Sequence, residues 1–410
     1  MKTIVATVLC SMVLSAAAQV TPAANLQRID QFVTREMAKG NVTGATVLII
    51  KDGQPVYNKA FGYADVPSKR PMQLDNIFRI ASFTKAVTSV AALILLEDGR
   101  FLLDEPVSKY IPAFKNPKVL VDFHAADSSY TTRPAAREIT IRDLMSHTSG
   151  IDYGAISQDP AMQAIYARAG VTVGIGSHST LAAAVNKVAA LPLKHDPGVA
   201  WTYGLNTDIL GYLIEIWSGM SLDAFFRTRI FEPLQMKDTY FRIPAAKAGR
   251  LVTLQQRGEH GLEPVTGTIF EATQPGYPFD DNVYFSGGGG LSGTAADYGR
   301  FLQMLLNKGV YKGSHIISET GVSLLLRNQL TGTANAEAFQ FGLGVGVVNS
   351  RNKFVYPMNE GSFYWIGAFN THYWADPKEK LIGIILTQQH YPENFFGLGQ
   401  YLQHLVYGAL

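Results

Sequence analysis

Ser82 and Lys85 are the residues whose types and spacing first point to chemistry. They stand three apart near the start of the run "FRIASFTKAVTSVAALILLEDGRF", Phe78 to Phe101. In an α-helix, positions i and i+3 share a face, so both side chains point to one side of a first turn whose amides are unpaired and whose dipole favours negative charge. A serine hydroxyl is a weak nucleophile until a neighbouring base or cation assists it, and Lys85 is placed to assist. The tetrapeptide alone leaves open a plain helix cap beside a solvated lysine. A second match, Ser350 to Lys353 in "SRNK", lies in a polar turn with no apolar helix behind it and reads as chance.

Competing chemistries lose ground by composition. The chain contains neither Gly-x-Ser-x-Gly nor His-Glu-x-x-His, and its nine histidines form no metal-ligand spacing. His147 in "LMSHTSGID" reads as a hydrogen-bonded turn residue rather than a base. The glycines Gly287 to Gly290 lack the Gly-Lys-Ser/Thr ending of a phosphate loop, so backbone freedom ahead of a helix is the better account. Thr294 and Asp297 have the spacing of an N-terminal capping pair for that helix.

The elements that must hold Ser82 and Lys85 follow from periodicity. Leu26, Ile29, Val33 and Met37 recur at helical spacing over residues 25–39, closed by Gly40. "GATVLIIKDGQPVYNKAFG" predicts a hairpin turning at Asp52-Gly53. The Ser82 helix is predicted from about 82 to 99, with Gly99 in the left-handed C-terminal position. From 106 to 284 helical patches alternate with turn-rich stretches without clear strand alternation, and the Gly-, Pro- and Glu-rich part from 255 to 280 reads as an elaborated surface loop. Strand character returns in "FQFGLGVGVV" and in "FNTHYWADPKEKLIGIILTQ", which turns at Asp376-Pro377-Lys378, and a helix closes the chain over 394–410. The expected fold class is α+β: an antiparallel sheet built from both chain ends (19–105 and 285–410), flanked by helices, with a mostly helical domain inserted at 106–284.

At 410 residues, with 47% apolar and 17% charged residues, the chain can bury a large core. A formal net charge of +2 gives no electrostatic case for nucleic acid or an anionic membrane surface, which leaves a small, neutral partner as the expectation. Residues 1–18 read as a cleaved secretory signal: Lys2, an apolar run from Ile4 to Leu14, and Ala16-Ala17-Ala18 before Gln19. A periplasmic or extracellular protein without a stable membrane anchor is therefore expected. Cys10, the single cysteine, lies inside that signal, so the mature chain has no disulfide and no cysteine nucleophile.

Five ordered segments carry a more specific likeness. "FRIASFTKAVTS", "ITIRDLMSHTSGIDYG", "WTYGLNTDILGYLIEIWSGMSL", "GGGGLSGTAADYGRFLQMLLNKG" and "WIGAFNTHYWADPKEKLIGIILTQ" together resemble the serine β-lactamase and penicillin-binding protein superfamily, and within it the family VIII carboxylesterases. The resemblance implies a β-lactamase/transpeptidase-like fold with Ser82 as the acylated nucleophile, Lys85 as its partner and Tyr203 as the group that takes the serine proton. It matches Trp365-Ile366-Gly367 to the family's edge strand, implying that Trp365 and Gly367 contact substrate and that the backbone amides of Ser82 and Ala368 form the oxyanion hole. It implies a small-molecule ester substrate and no cofactor. Two departures bear on specificity. Leu205 stands where β-lactamases carry the asparagine of Tyr-x-Asn, with Asn206 one place late, and Trp365 replaces a lysine suited to a substrate carboxylate. Both favour a neutral ester over a β-lactam or a peptide ending in a carboxylate. A β-lactamase or D-amino-acid peptidase, an acyltransferase, and a non-enzymatic binding protein are the alternatives.

Overall fold

Asp52 and Gly53 turn the first hairpin with positive φ of 50° and 76°, the conformation of two-residue turns that match strand twist. The computed structural model describes residues 22–259, 261–270, 272–281, 283–334 and 339–410, so the expected leader over 1–18 lies outside the described residues. Helix α1 (Pro22–Ala38) leads into strands β1 (Gly44–Lys51), β2 (Gln54–Asp65) and β3 (Arg70–Pro71). These join four strands from the far end of the chain in one antiparallel sheet. Its order is Gly346–Val347, Phe363–Gly367, Thr371–Asp376, Leu381–Leu386, β1, β2, β3. The two chain ends meet where β1 pairs with Leu381–Leu386, Leu48 opposite Ile384. The tight turn before that strand is held by Asp376, whose carboxylate accepts from the amides of Lys378 and Glu379.

Alternation along β1 assigns the two faces. Val47 and Ile49 pack under α1 and the closing helix Gly397–Tyr407, against Ile29, Val33, Leu402 and Val406. Leu48 faces the opposite way, into the larger core with Ile384, Phe83 and Val87. Helix α2 (Thr84–Glu97) runs through that core, with every residue from Thr84 to Leu95 buried. Protein surrounds it on all sides, so its polar residues Lys85, Thr88 and Ser89 are buried along with its apolar ones. Ser82, expected to open this helix, instead lies just before it in the 3₁₀ turn Ala81–Phe83. Ala81 has φ of +43°, a left-handed conformation rare for a residue with a Cβ. Gly99 closes the helix with φ of +72°, as expected.

The stretch from 106 to 284 departs from the helical expectation in two places. Lys118–His124 pairs with Ser129–Pro134, and Gln255–Gly258 with Gly261–Pro264, as antiparallel hairpins. Exposed residues dominate the first pair, so no inward apolar alternation marks it in the sequence. Nor is 255–280 merely surface: Ile269, Phe270 and Tyr277 are buried. The buried Arg79 guanidinium holds this segment by donating to the carbonyls of Val252 and Pro275. Thr294 caps the helix Ala295–Leu306 as expected, accepting from the Asp297 amide. The Asp297 carboxylate instead accepts from the Asp238 amide and Thr239 hydroxyl, so only half of a capping box forms.

Candidate active site

Three elements distant in sequence converge at the start of α2. The Ser82 hydroxyl lies 2.6 Å from the Tyr203 hydroxyl, and Lys85 Nζ lies 3.2 Å from Ser82 Oγ. The lysine is fully buried. Its remaining two donors reach the Tyr153 hydroxyl at 2.9 Å and the Gly288 carbonyl at 2.7 Å. All three N–H groups of an ammonium are thereby used, which offsets the cost of burying it. Nζ also stands 4.5 Å from the centroid of the Tyr203 ring. The second Ser-x-x-Lys match stays where the sequence put it, in a turn, with Lys353 paired to Glu360.

The glycine run answers to crowding rather than to backbone freedom. None of Gly287 to Gly290 has positive φ. A Cβ at Gly287 would lie 2.4 Å from the Thr207 carbonyl oxygen, and one at Gly288 2.4 Å from Asp208 Oδ2. Only glycine lets this backbone approach closely enough for its carbonyl to receive Lys85.

Asp208 lies on the other side of Gly288, in the helix Asn206–Ser218 that follows the Tyr203 turn. Burial pushes its carboxyl up to about 6, opposed by the Ser286 hydroxyl, the Lys85 charge, the Tyr284 hydroxyl and the Gly288 amide. The folded chain holds this proton to higher pH than the unfolded chain, so stability falls as pH rises from about 4 to about 6 and stays lower above that range. Asp208→Asn is expected to remove that loss, up to about 3 kcal/mol for a shift of about two units. Urea unfolding at pH 4.5 and 7.5 checks this, and an unchanged difference between the two pH values would count against it.

His147 positions the Tyr203 turn. It ends the helix Ile141–Ser146 in the left-handed conformation, φ 57°. Its carbonyl accepts the Thr202 amide at 2.8 Å and its Nδ1 accepts the Gly204 amide at 3.3 Å, so it grips the chain on both sides of Tyr203. The Asn206 side chain also donates to Nδ1, at 2.9 Å. Burial and the Lys85 charge hold the imidazole well below its usual range, hence neutral. The expectation of a hydrogen-bonded turn residue therefore agrees with its place. Asn206, one position late for Tyr-x-Asn, is buried in this network with Ser149, and Leu205 is buried in the core. Because asparagine tolerates positive φ and its Oδ1 can accept as Nδ1 does, His147→Asn is expected to keep most activity and His147→Leu to lose about 10- to 100-fold in kcat. Steady-state kinetics with melting curves on both variants check it.

The Trp365 strand, Phe363–Gly367, forms the third wall. A Cβ on Gly367 would lie 2.5 Å from the Ile80 carbonyl oxygen, which explains the glycine and brings Ala368 alongside the Ser82 turn. Ser82, Tyr203, Trp365 and Ala368 line one cavity of about 530 Å³. Trp201 stacks on Tyr203 at 5.8 Å with planes 19° apart, and Trp365 lies 5.8 Å from the Tyr203 ring on another side. The structure thus brings together Ser82, Lys85, Tyr203, Trp365, Gly367 and Ala368. Sequence reasoning left Tyr153, Asp208 and Trp201 unassigned, although each lies in or beside a segment that carried the resemblance.

The beta-lactamase family model matches residues 29–407. Protein Rv1367c of Mycobacterium tuberculosis (strain ATCC 25618 / H37Rv) is 34% identical over 368 residues, covering 86% of this chain and 87% of that protein. Esterase EstB of Burkholderia gladioli is 28% identical over 378 residues, covering 89% and 90%. Among solved structures, EstCE1, described as a hydrolase with promiscuous acyltransferase activity, superposes with a TM-score of 0.79 at 26% identity, covering 94% of this chain and 99% of that one. Simvastatin synthase LovD of Aspergillus terreus shares the fold, with a TM-score of 0.74 at 22% identity, covering 94% and 98%. The convergence of Ser82, Lys85 and Tyr203 at one cavity, in a chain matched nearly end to end, makes this protein a member of the beta-lactamase family, related within it to the family VIII carboxylesterases.

Proposed function

We propose that this protein is a serine carboxylesterase that hydrolyses neutral esters through an acyl-enzyme on Ser82. The observation that carries the reading is the 2.6 Å contact between Ser82 Oγ and Tyr203 O, with Lys85 beside it, opening into a cavity lined by no Asp, Glu, Lys or Arg among the described residues. Tyr203, as a phenolate beside the Lys85 ammonium, takes the Ser82 proton while Oγ attacks the ester carbonyl. The carbonyl oxygen becomes an oxyanion received by the Ser82 and Ala368 amides, donors fixed in place before charge develops. Collapse breaks the bond to the alkoxide, which leaves as alcohol with the proton held by Tyr203. Water then attacks the acyl-enzyme, gives its proton to Tyr203, and releases the acid as the proton returns to Ser82.

The uncharged cavity supports an ester over a β-lactam, because a β-lactam carboxylate would be desolvated there with no lysine on the strand to meet it. A second reading has its own support. Aromatic walls favour an organic alcohol over water as acyl acceptor, and EstCE1 is described with acyltransferase activity. Parallel initial rates on p-nitrophenyl esters and a chromogenic cephalosporin, with Ser82→Ala as blank, test the proposal. Faster cephalosporin turnover would overturn the esterase reading, and ester products formed from added alcohol would favour acyl transfer.

A further inference from the structure

The Ser82 cavity is lined from both faces of the sheet. Along the strand Phe363–Gly367, successive side chains point to opposite faces. Trp365 faces the catalytic side, 5.2 Å from the Phe341 ring. Tyr364 faces the other side, in the core shared with α1 and the closing helix, where its hydroxyl lies 2.7 Å from that of Tyr356. Ile366, two residues on and opposite His372, shares the Tyr364 face. Tyr364, Trp365 and Ile366 nevertheless line the same cavity as Ser82.

A cavity can reach both faces only by passing around a strand edge that carries no neighbour. That condition is met here: on this side Gly346 and Val347 face Tyr364 and Phe363, and among the described residues no strand pairs with the edge from Trp365 onward. Beyond the edge the cavity continues between the sheet and the closing helix, bounded by Ile366, Phe395, Phe396, Gln400 and Gln403. Phe396 is 62% exposed at this end, an apolar ring that meets the Phe395 ring edge-on at 5.2 Å. Gln403 is 6% exposed, and its Oε1 is buried without a hydrogen-bond partner among the described residues. His372, also on this wall, is held neutral by burial and donates from Nε2 to Asn370.

We propose that this second chamber, entered from Ser82 around the free edge of the Trp365 strand, is the binding site for an elongated, neutral, apolar arm of the ester substrate. This rests on the ester reading given above. Size and chemistry agree: about 530 Å³ lies within the roughly 300–1,000 Å³ of sites for drug-sized ligands, whereas an acetyl ester would leave most of it empty. The unpaired Gln403 oxygen suits a hydroxyl or amide hydrogen on that arm. The arm belongs to the acyl group or to the alcohol, and two substrate series distinguish them.

The test measures kcat/KM for p-nitrophenyl esters of two- to ten-carbon acids and, by proton release, for acetates of one- to ten-carbon alcohols. Each methylene that enters the chamber is worth about fourfold, or ~0.8 kcal/mol. One series is therefore expected to rise at least tenfold with length, and Gln400→Trp and Ile366→Trp, each filling the chamber, to flatten that rise. Gln400 lies on an exposed helix face, so its variant is the one expected to fold without difficulty. Length-independent rates in both series, or a rise that survives both variants, overturns the chamber. Calorimetry of 1-octanol binding to Ser82→Ala keeps the two readings apart. Binding weakened at least tenfold by adding Gln400→Trp supports the chamber even if no ester is turned over, and absence of binding overturns it.

Discussion

Ser82→Ala is expected to abolish ester turnover, lowering kcat by about 10⁴- to 10⁶-fold, the range seen when the nucleophile of an acyl-transfer enzyme is removed. The substitution deletes one oxygen from a partly buried serine in a 3₁₀ turn and leaves its backbone amide in place. The fold should therefore be unchanged and substrate should still bind, so KM moves little while kcat collapses. Two further readouts make the result specific. Mass spectrometry of the wild-type protein treated with a fluorophosphonate should place one adduct on the peptide carrying Ser82, and the variant should take none. Residual turnover within tenfold of wild type would remove Ser82 as nucleophile and with it the acyl-enzyme.

Tyr203→Phe is expected to lower kcat by about 10³- to 10⁴-fold, at the upper end of what a positioned general base contributes. The phenyl ring that remains keeps its packing against Trp201, Trp365 and the His147 ring. A loss of activity therefore cannot be put down to a lost aromatic contact. What disappears is the oxygen 2.6 Å from Ser82 Oγ, leaving Lys85 as the only other side chain among the described residues within hydrogen-bond distance of that hydroxyl. If Lys85 could serve as base unaided, Tyr203→Phe would cost tenfold or less, and that outcome would transfer the base role to the lysine. A melting temperature equal to wild type alongside the large loss would assign the effect to chemistry.

The network behind these two residues explains why the site can be both buried and charged. Lys85 is enclosed by hydroxyls and a carbonyl, and the buried carboxylate of Asp208 lies just across Gly288. Tyr153 receives a bond from Lys85 while its hydroxyl is held well above its usual range by burial and by neighbouring Tyr203 and Asp208. It is therefore a neutral partner for the lysine, whereas the hydroxyl in contact with Ser82 Oγ is that of Tyr203. Pre-placed charges and dipoles of this kind lower the reorganisation needed when the oxyanion forms.

Sequence alone determined what depends on near neighbours. The Ser82 and Lys85 pair was legible because helical geometry puts i and i+3 on one face, and the Asp52-Gly53 hairpin because a two-residue turn must take positive φ. Tyr203, Trp365, Gly367 and Ala368 entered through five ordered segments of family likeness, which no single motif could have supplied. Tertiary structure decided the rest, because its causes lie far apart along the chain. Tyr203 reaches Ser82 across 121 positions, and Lys85 reaches Tyr153 across 68 and Gly288 across 203. The glycine run read as flexible because its crowding comes from Thr207 and Asp208, residues that no local pattern places against it. The hairpin at 118–134 and the buried part of 255–280 were missed because one lacks inward alternation and the other is held by Arg79 from another region of the chain. The chamber beyond Trp365 is wholly tertiary. It exists because the neighbouring strand begins only at Gly346, opposite Tyr364, a fact about pairing that the residues of neither strand announce.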